Sequence, residues 1–181
     1  MKALFVGFIW IVLVLAGTLL TKEAPKASFD PTILRMTTMK GSPGLGRNGE
    51  TENVRGFQSS VLRWKVGQVK GALTSDGKLD LLVTGLVTET DHPGVSTGKT
   101  GNENFEPLLK VVISCETITE NGSVEKINLS PPATYPASLG RSTQGGGVAR
   151  IQAQVELPSP CMSPQVLITN QQGEWLAKSY Q

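Results

Sequence analysis

A chain of 181 residues, 39% of them hydrophobic, is long enough for one domain with a substantial core, and 17 basic against 15 acidic side chains leave a net charge of only +2. No run of Lys or Arg concentrates that charge, which argues against a nucleic-acid ligand. One histidine and two cysteines do not supply the usual ligand set of a zinc site, and no cofactor motif stands out, so no cofactor is expected.

The chain opens on MKALFVGFIWIVLVLAGTLLTK, in which Lys2 precedes an uncharged apolar run from Ala3 to Leu20. A basic start before an apolar run is the pattern of a secretory signal. The run of 18 residues also reaches the length at which a membrane-spanning helix becomes feasible. Residues 1–21 are therefore read as an N-terminal hydrophobic helix, either a cleaved signal peptide or a retained membrane anchor. The remainder is expected to be secreted, or tethered at the cell membrane with its domain outside. Residues 22–58 carry three Pro, five Gly and scattered charges without a sustained period. They read as a flexible tether, the alternative being an ordered edge segment lying on the domain.

From about residue 60 the apolar positions alternate, and residues 59–181 are expected to form the folded domain. Leu62, Trp64 and Val66 share one face; after Gly67 the parity shifts to Val69 and Leu73, as at a β-bulge. Asp76-Gly77 is a hairpin signal. Leu79, Leu81, Val83 and Val87 follow on one face. Residues 89–106 read as a long polar loop. Leu109, Val111, Ile113 and Cys115 form the next inward row, and Asn121-Gly122 turns another hairpin. A second loop covers PPATYPASLGRSTQGGG. The cleanest strand is VARIQAQVELP, with Ala149, Ile151, Ala153, Val155 and Leu157 inward. PQVLITN, a turn at QQGE and WLAKSY complete the chain. Many short strands without an amphipathic helix predict an all-β, antiparallel β-sandwich of the immunoglobulin-like or a related type, with a closed barrel as the alternative. Cys115 and Cys161, the only cysteines of an exported chain, are expected to form one disulfide; two buried free thiols are the alternative.

The stretches VKGALTSDGKLDLLVTGLV, VVISCET and VELPSPCMSPQVLITNQQGEWLA resemble a family of uncharacterised exported, mostly bacterial, β-rich proteins. That family carries a GAL..DG.L hairpin, a mid-chain Cys and a late LP.PC..P segment in this order. The resemblance covers about residues 60–178. It supports the β fold and the disulfide, and it implies no catalytic residue.

HPGVSTGKTG, residues 92–101, looks like a phosphate loop but is not one. Gly94 and Gly98 are separated by three residues rather than four, and the following GNENFEP is polar and ends in proline rather than opening a helix. No nucleotide is expected. His92, the sole histidine, sits in this loop beside Asp91, with no partner placed to orient it for nucleophilic catalysis. Asp91, Glu103, Glu106 and Glu116 could supply a carboxylate pair for glycoside chemistry, but their spacing carries no signature. Asp91, Asn102, Glu103 and Asn104 could offer oxygens to Ca²⁺, yet they lack the alternating ligand spacing and Lys99 sits among them, so no metal site is expected. Asn121-Gly-Ser and Asn128-Leu-Ser are glycosylation acceptors if the source is a eukaryote. Trp64 has core parity, which leaves Trp175 and Tyr180 as candidate ligand-binding aromatics, with core packing as their alternative. The expectation is an exported, non-catalytic β-sandwich with a binding or surface-structural role toward an extracellular glycan or protein. The alternative is a small extracellular hydrolase using a carboxylate pair.

Overall fold

A computed structural model describes residues 31–89 and 101–180. The expected N-terminal helix and the loop holding Asp91 and His92 lie outside the described residues. From Pro31 onward the chain belongs to one unit. Its strands, in chain order, are β1 Thr32–Met36, β2 Met39–Gly41, β3 Asn53–Val54, β4 Phe57–Gln58, β5 Trp64–Lys65, β6 Gln68–Thr74, β7 Lys78–Thr84 and β8 Val87–Thr88. They continue as β9 Glu103–Asn104, β10 Leu108–Ile118, β11 Val124–Leu129, β12 Tyr135–Pro136, β13 Gly140–Arg141, β14 Ala149–Gln154, β15 Met162–Thr169 and β16 Trp175–Ser179. The one helical element among the described residues is a 3-10 turn, Ser142–Gln144, so none there is long and apolar enough to cross a membrane.

The unit is all-β and antiparallel. One sheet has the order β1-β6-β7-β14 and a second β11-β10-β15-β16-β2, with β12 on β10; β13-β9, β3-β4 and β5-β8 form three two-stranded sheets. Alternation explains why the first two share a core. Val69 and Leu73 on β6, Leu79, Leu81 and Val83 on β7, and Ala149 and Ile151 on β14 are buried, whereas Lys70, Asp80 and Arg150 between them are exposed. Leu109, Val111, Ile113 and Cys115 of β10 join them in one cluster with Val166 and Ile168 of β15. Cys115 and Cys161 form a disulfide with Cα atoms 5.1 Å apart. It links β10 to the residue before its neighbour β15, beside an irregularity where Ser114 pairs with Gln165 but Glu116 with Met162.

The hairpin signals hold. At TSDG the Gly77 N–H donates to the Thr74 carbonyl at 2.9 Å, and Gly77 takes φ +82°. The same four-residue turn closes β10–β11 at Gly122 and β15–β16 at Gly173. The parity change at Gly67 has a different origin from the bulge expected there. It is a break between β5, which pairs with β8, and β6, which pairs with β7. Gly67 and Gly85 meet at this break, and a Cβ on Gly85 would lie 3.3 Å from the Gly67 Cα.

Residues 22–58 do not behave as one tether. From residue 32 onward they are built into the domain. β1 extends the first sheet along β6, β2 extends the second along β16, and Met36 and Met39 enter the core. The β3–β4 hairpin lies over the outside of the second sheet, where Val54 and Phe57 pack on Val112, Leu167 and Trp175 in a second small cluster. Burying those side chains outweighs the loop-like composition of the segment.

Candidate functional site

Trp175 is not available to a ligand. It is fully buried, and its Nε1–H donates to the Glu52 carbonyl at 3.2 Å. The cause lies in β16. Trp175 pairs with Thr169, but Ala177 pairs with Ile168, so Leu176 is an extra residue. This bulge turns Trp175 onto the outer face, under the β3–β4 hairpin, while Ala177 faces the main core. Tyr180 remains 57% exposed at the chain end, so the expected aromatic pair is not a pair. Glu52 caps this region. Burial works to raise its pKa, but the hydrogen bonds and charges of Lys178, at 2.7 Å, and Lys40, at 3.5 Å, outweigh it and hold the carboxyl below its ordinary range.

Of the candidate carboxylates, Asp91 lies outside the described residues, and Glu103 and Glu116 stand on separate strands. Glu116 is paired with Arg55 at 2.7 Å on the outer side of β10. Glu103 lies on β9, opposite Arg141. Asn104 is buried and spends its amide on the chain: its Nδ2 donates to the Glu106 and Ser138 carbonyls at 3.1 and 2.8 Å, and its Oδ1 accepts from the Glu106 N–H. Part of the expected loop is therefore a pinned strand. Asn102, at φ +62°, accepts from Lys65 Nζ. Among the described residues no three His, Cys, Asp or Glu side chains group as metal ligands.

Among the described residues, one concave feature lies on the outside of the first sheet. A depression of about 530 Å³ is lined there by Arg35, Lys70, Ala72, Asp80, Leu82 and Arg150, with Met36, Thr37 and Gly71 at one side. Register builds it. Arg35, Ala72, Asp80 and Gln152 form one cross-strand row, and Lys70, Leu82 and Arg150 form the next. Rows of antiparallel residues share a face, so side chains far apart in sequence converge. Ala72 has the shortest side chain of its row and leaves the space open between Arg35 and Asp80. Leu82, 37% exposed, gives the depression an apolar patch between Lys70 and Arg150. With strands about 4.8 Å apart, the Lys70 and Arg150 Cα atoms stand about 10 Å apart across Leu82.

Three cations and one carboxylate thus line the depression. Arg150 Nη2 lies 3.4 and 3.3 Å from the Asp80 oxygens, and both side chains are half exposed or more, so the pair is worth little in stability and either partner can turn to a ligand. Chemically the surface offers guanidinium and ammonium donors, one acceptor carboxylate and a small apolar floor. Among the described residues its lining holds one carboxylate, whereas glycoside hydrolysis uses two. No basic run marks this cluster in the sequence. Its signal was the outward parity of Lys70, Asp80 and Arg150, which strand order converts into a patch. Comparison of the chain with protein-family models, curated proteins and solved structures finds no match.

Proposed function

We propose that this chain is an exported, non-catalytic binding protein that takes an anionic ligand on the outer face of its four-stranded sheet. In this reading the fold is an immunoglobulin-like or related β-sandwich of the exported family that its motifs resemble. Residues 1–21 deliver it as a signal peptide or hold it as an anchor. The disulfide is consistent with an oxidising location. The carrying observation is the depression in which Lys70 and Arg150 stand in one cross-strand row on either side of Leu82, next to Asp80. Charges of one sign gathered in a concavity attract and orient an oppositely charged partner.

The test is an NMR titration of the protein with sulfate and with citrate. Expected are shifts concentrated on the amides of Lys70, Ala72, Leu82 and Arg150, weakening as NaCl is raised. Shifts scattered over the surface, or none, would overturn the reading.

A further inference from the structure

The depression contains more than an anion needs. Sulfate or phosphate would use Lys70 and Arg150 but has no use for Asp80, whose carboxylate stands in the next row of the strand between them and repels it. Nor has a bare anion any use for Leu82, left 37% exposed between the two cations. A ligand matched to the whole surface carries acidic groups for the cations, hydroxyl donors for Asp80, and a C–H face for Leu82 and Ala72. Gln152, beside Asp80 in the same row, adds an amide that both donates and accepts. Lys70 and Arg150 stand about 10 Å apart across Leu82, so one ligand that meets both carries its acidic groups spaced along a chain.

We propose, resting on the binding reading above, that the ligand is an acidic carbohydrate chain. Lys70 and Arg150 hold its carboxylate or sulfate groups, and Asp80 accepts from its hydroxyls. Charged hydrogen bonds to these groups supply orientation, and Leu82 and Ala72 pack under a sugar ring. The alternation of anion and hydroxyl on such a chain matches a surface on which two cations share one cross-strand row and a carboxylate stands in the next. A membrane headgroup layer would be met with Asp80 facing its phosphates.

Calorimetry on the full chain separates the cases, with an oligogalacturonate, a neutral oligosaccharide of equal length, sodium sulfate and anionic phosphatidylglycerol vesicles as probes. Oligogalacturonate should bind, and the neutral sugar and sulfate much more weakly. Lys70→Gln with Arg150→Gln should weaken the uronate by at least about tenfold. Asp80→Asn should also weaken it, by about fivefold, because the amide is a poorer acceptor for hydroxyls. All three residues are exposed, so unchanged thermal unfolding confirms that the variants fold. If Asp80→Asn tightens uronate and sulfate alike, the face is a general anion site: the carbohydrate assignment falls and the binding reading stands. Vesicle binding that depends on Lys70 and Arg150, without uronate binding, overturns the assignment in favour of a membrane. If no anion depends on Lys70 and Arg150, both the assignment and the binding reading are wrong.

Discussion

Replacing Cys115 and Cys161 together by Ala tests the main long-range constraint on the fold. The bridge joins residues 46 positions apart. On the chain-entropy relation a closed loop of that size restricts the unfolded chain by about 4 kcal/mol. Cys115 is fully buried within the main core, so truncation adds a cavity cost on the order of 1 kcal/mol. Reduction of the unsubstituted protein removes the first effect without the second, which separates them. For a unit of this size the double variant should melt roughly 10–15 °C lower. Trp64 and Trp175 are both buried, so their fluorescence reports the urea transition. The denaturant slope should also rise, because the unfolded chain without the bridge exposes more surface. Free-thiol assay of denatured, unreduced protein should find none. A stability difference below about 1 kcal/mol between oxidised and reduced protein would refute the reasoning, since it would mean the bridge constrains little in the unfolded chain.

Gly77→Ala and Gly122→Ala form a matched pair, both at φ +82°, but a Cβ on Gly77 would lie 1.9 Å from the Val155 carbonyl while Gly122 faces open space. Urea titration should show about 1 kcal/mol lost at Gly122 and at least twice that at Gly77. Tyr135→Phe should stabilise by about 1 kcal/mol, because the buried hydroxyl has no hydrogen-bond partner among the described residues. Burial also raises the Tyr135 pKa above 10.0, so its contribution is intact below pH 10.0 and lost as pH rises further; the Phe variant should lose less stability in that window. Glu52 is depressed below 4.5, so its contribution is in place above pH 4.5 and lost as pH falls through its folded value. Melting curves of Glu52→Gln should therefore change less on acidification. A fragment of residues 59–181 should fail to give a cooperative melt whereas 31–181 should succeed, since residues 32–58 supply Met36 and Met39 to the core and cover Trp175.

Where a strand is long and one face is buried, alternation alone identifies its inward side. That is why Leu79, Leu81 and Val83, or Leu109, Val111 and Ile113, are legible in the sequence. Glycine turns were equally legible, because Gly77, Gly122 and Gly173 adopt a backbone that other residues resist. Short elements carry no such signal. β2, β3 and β4 span three residues or fewer, too short for a period, and form because a sheet edge or an apolar face is already there to receive them. The position of Trp175 was illegible for a related reason: one extra residue, Leu176, puts it on the outer face, and nothing local announces that bulge.

By itself the sequence determined the β class of the domain, its main hairpins and most of its core, because these follow from periodicity and turn chemistry; for Cys115 and Cys161 it left a bridge and two free thiols open, and the structure joins them. Tertiary structure alone decided that residues 32–58 belong to the domain, that Trp175 is covered, and that Arg35, Lys70 and Arg150 share a face with Asp80. Those outcomes depend on which strands neighbour one another and in what register. Register is set by long-range packing across the sheets, and residues 35, 70 and 150 meet only after that packing is complete.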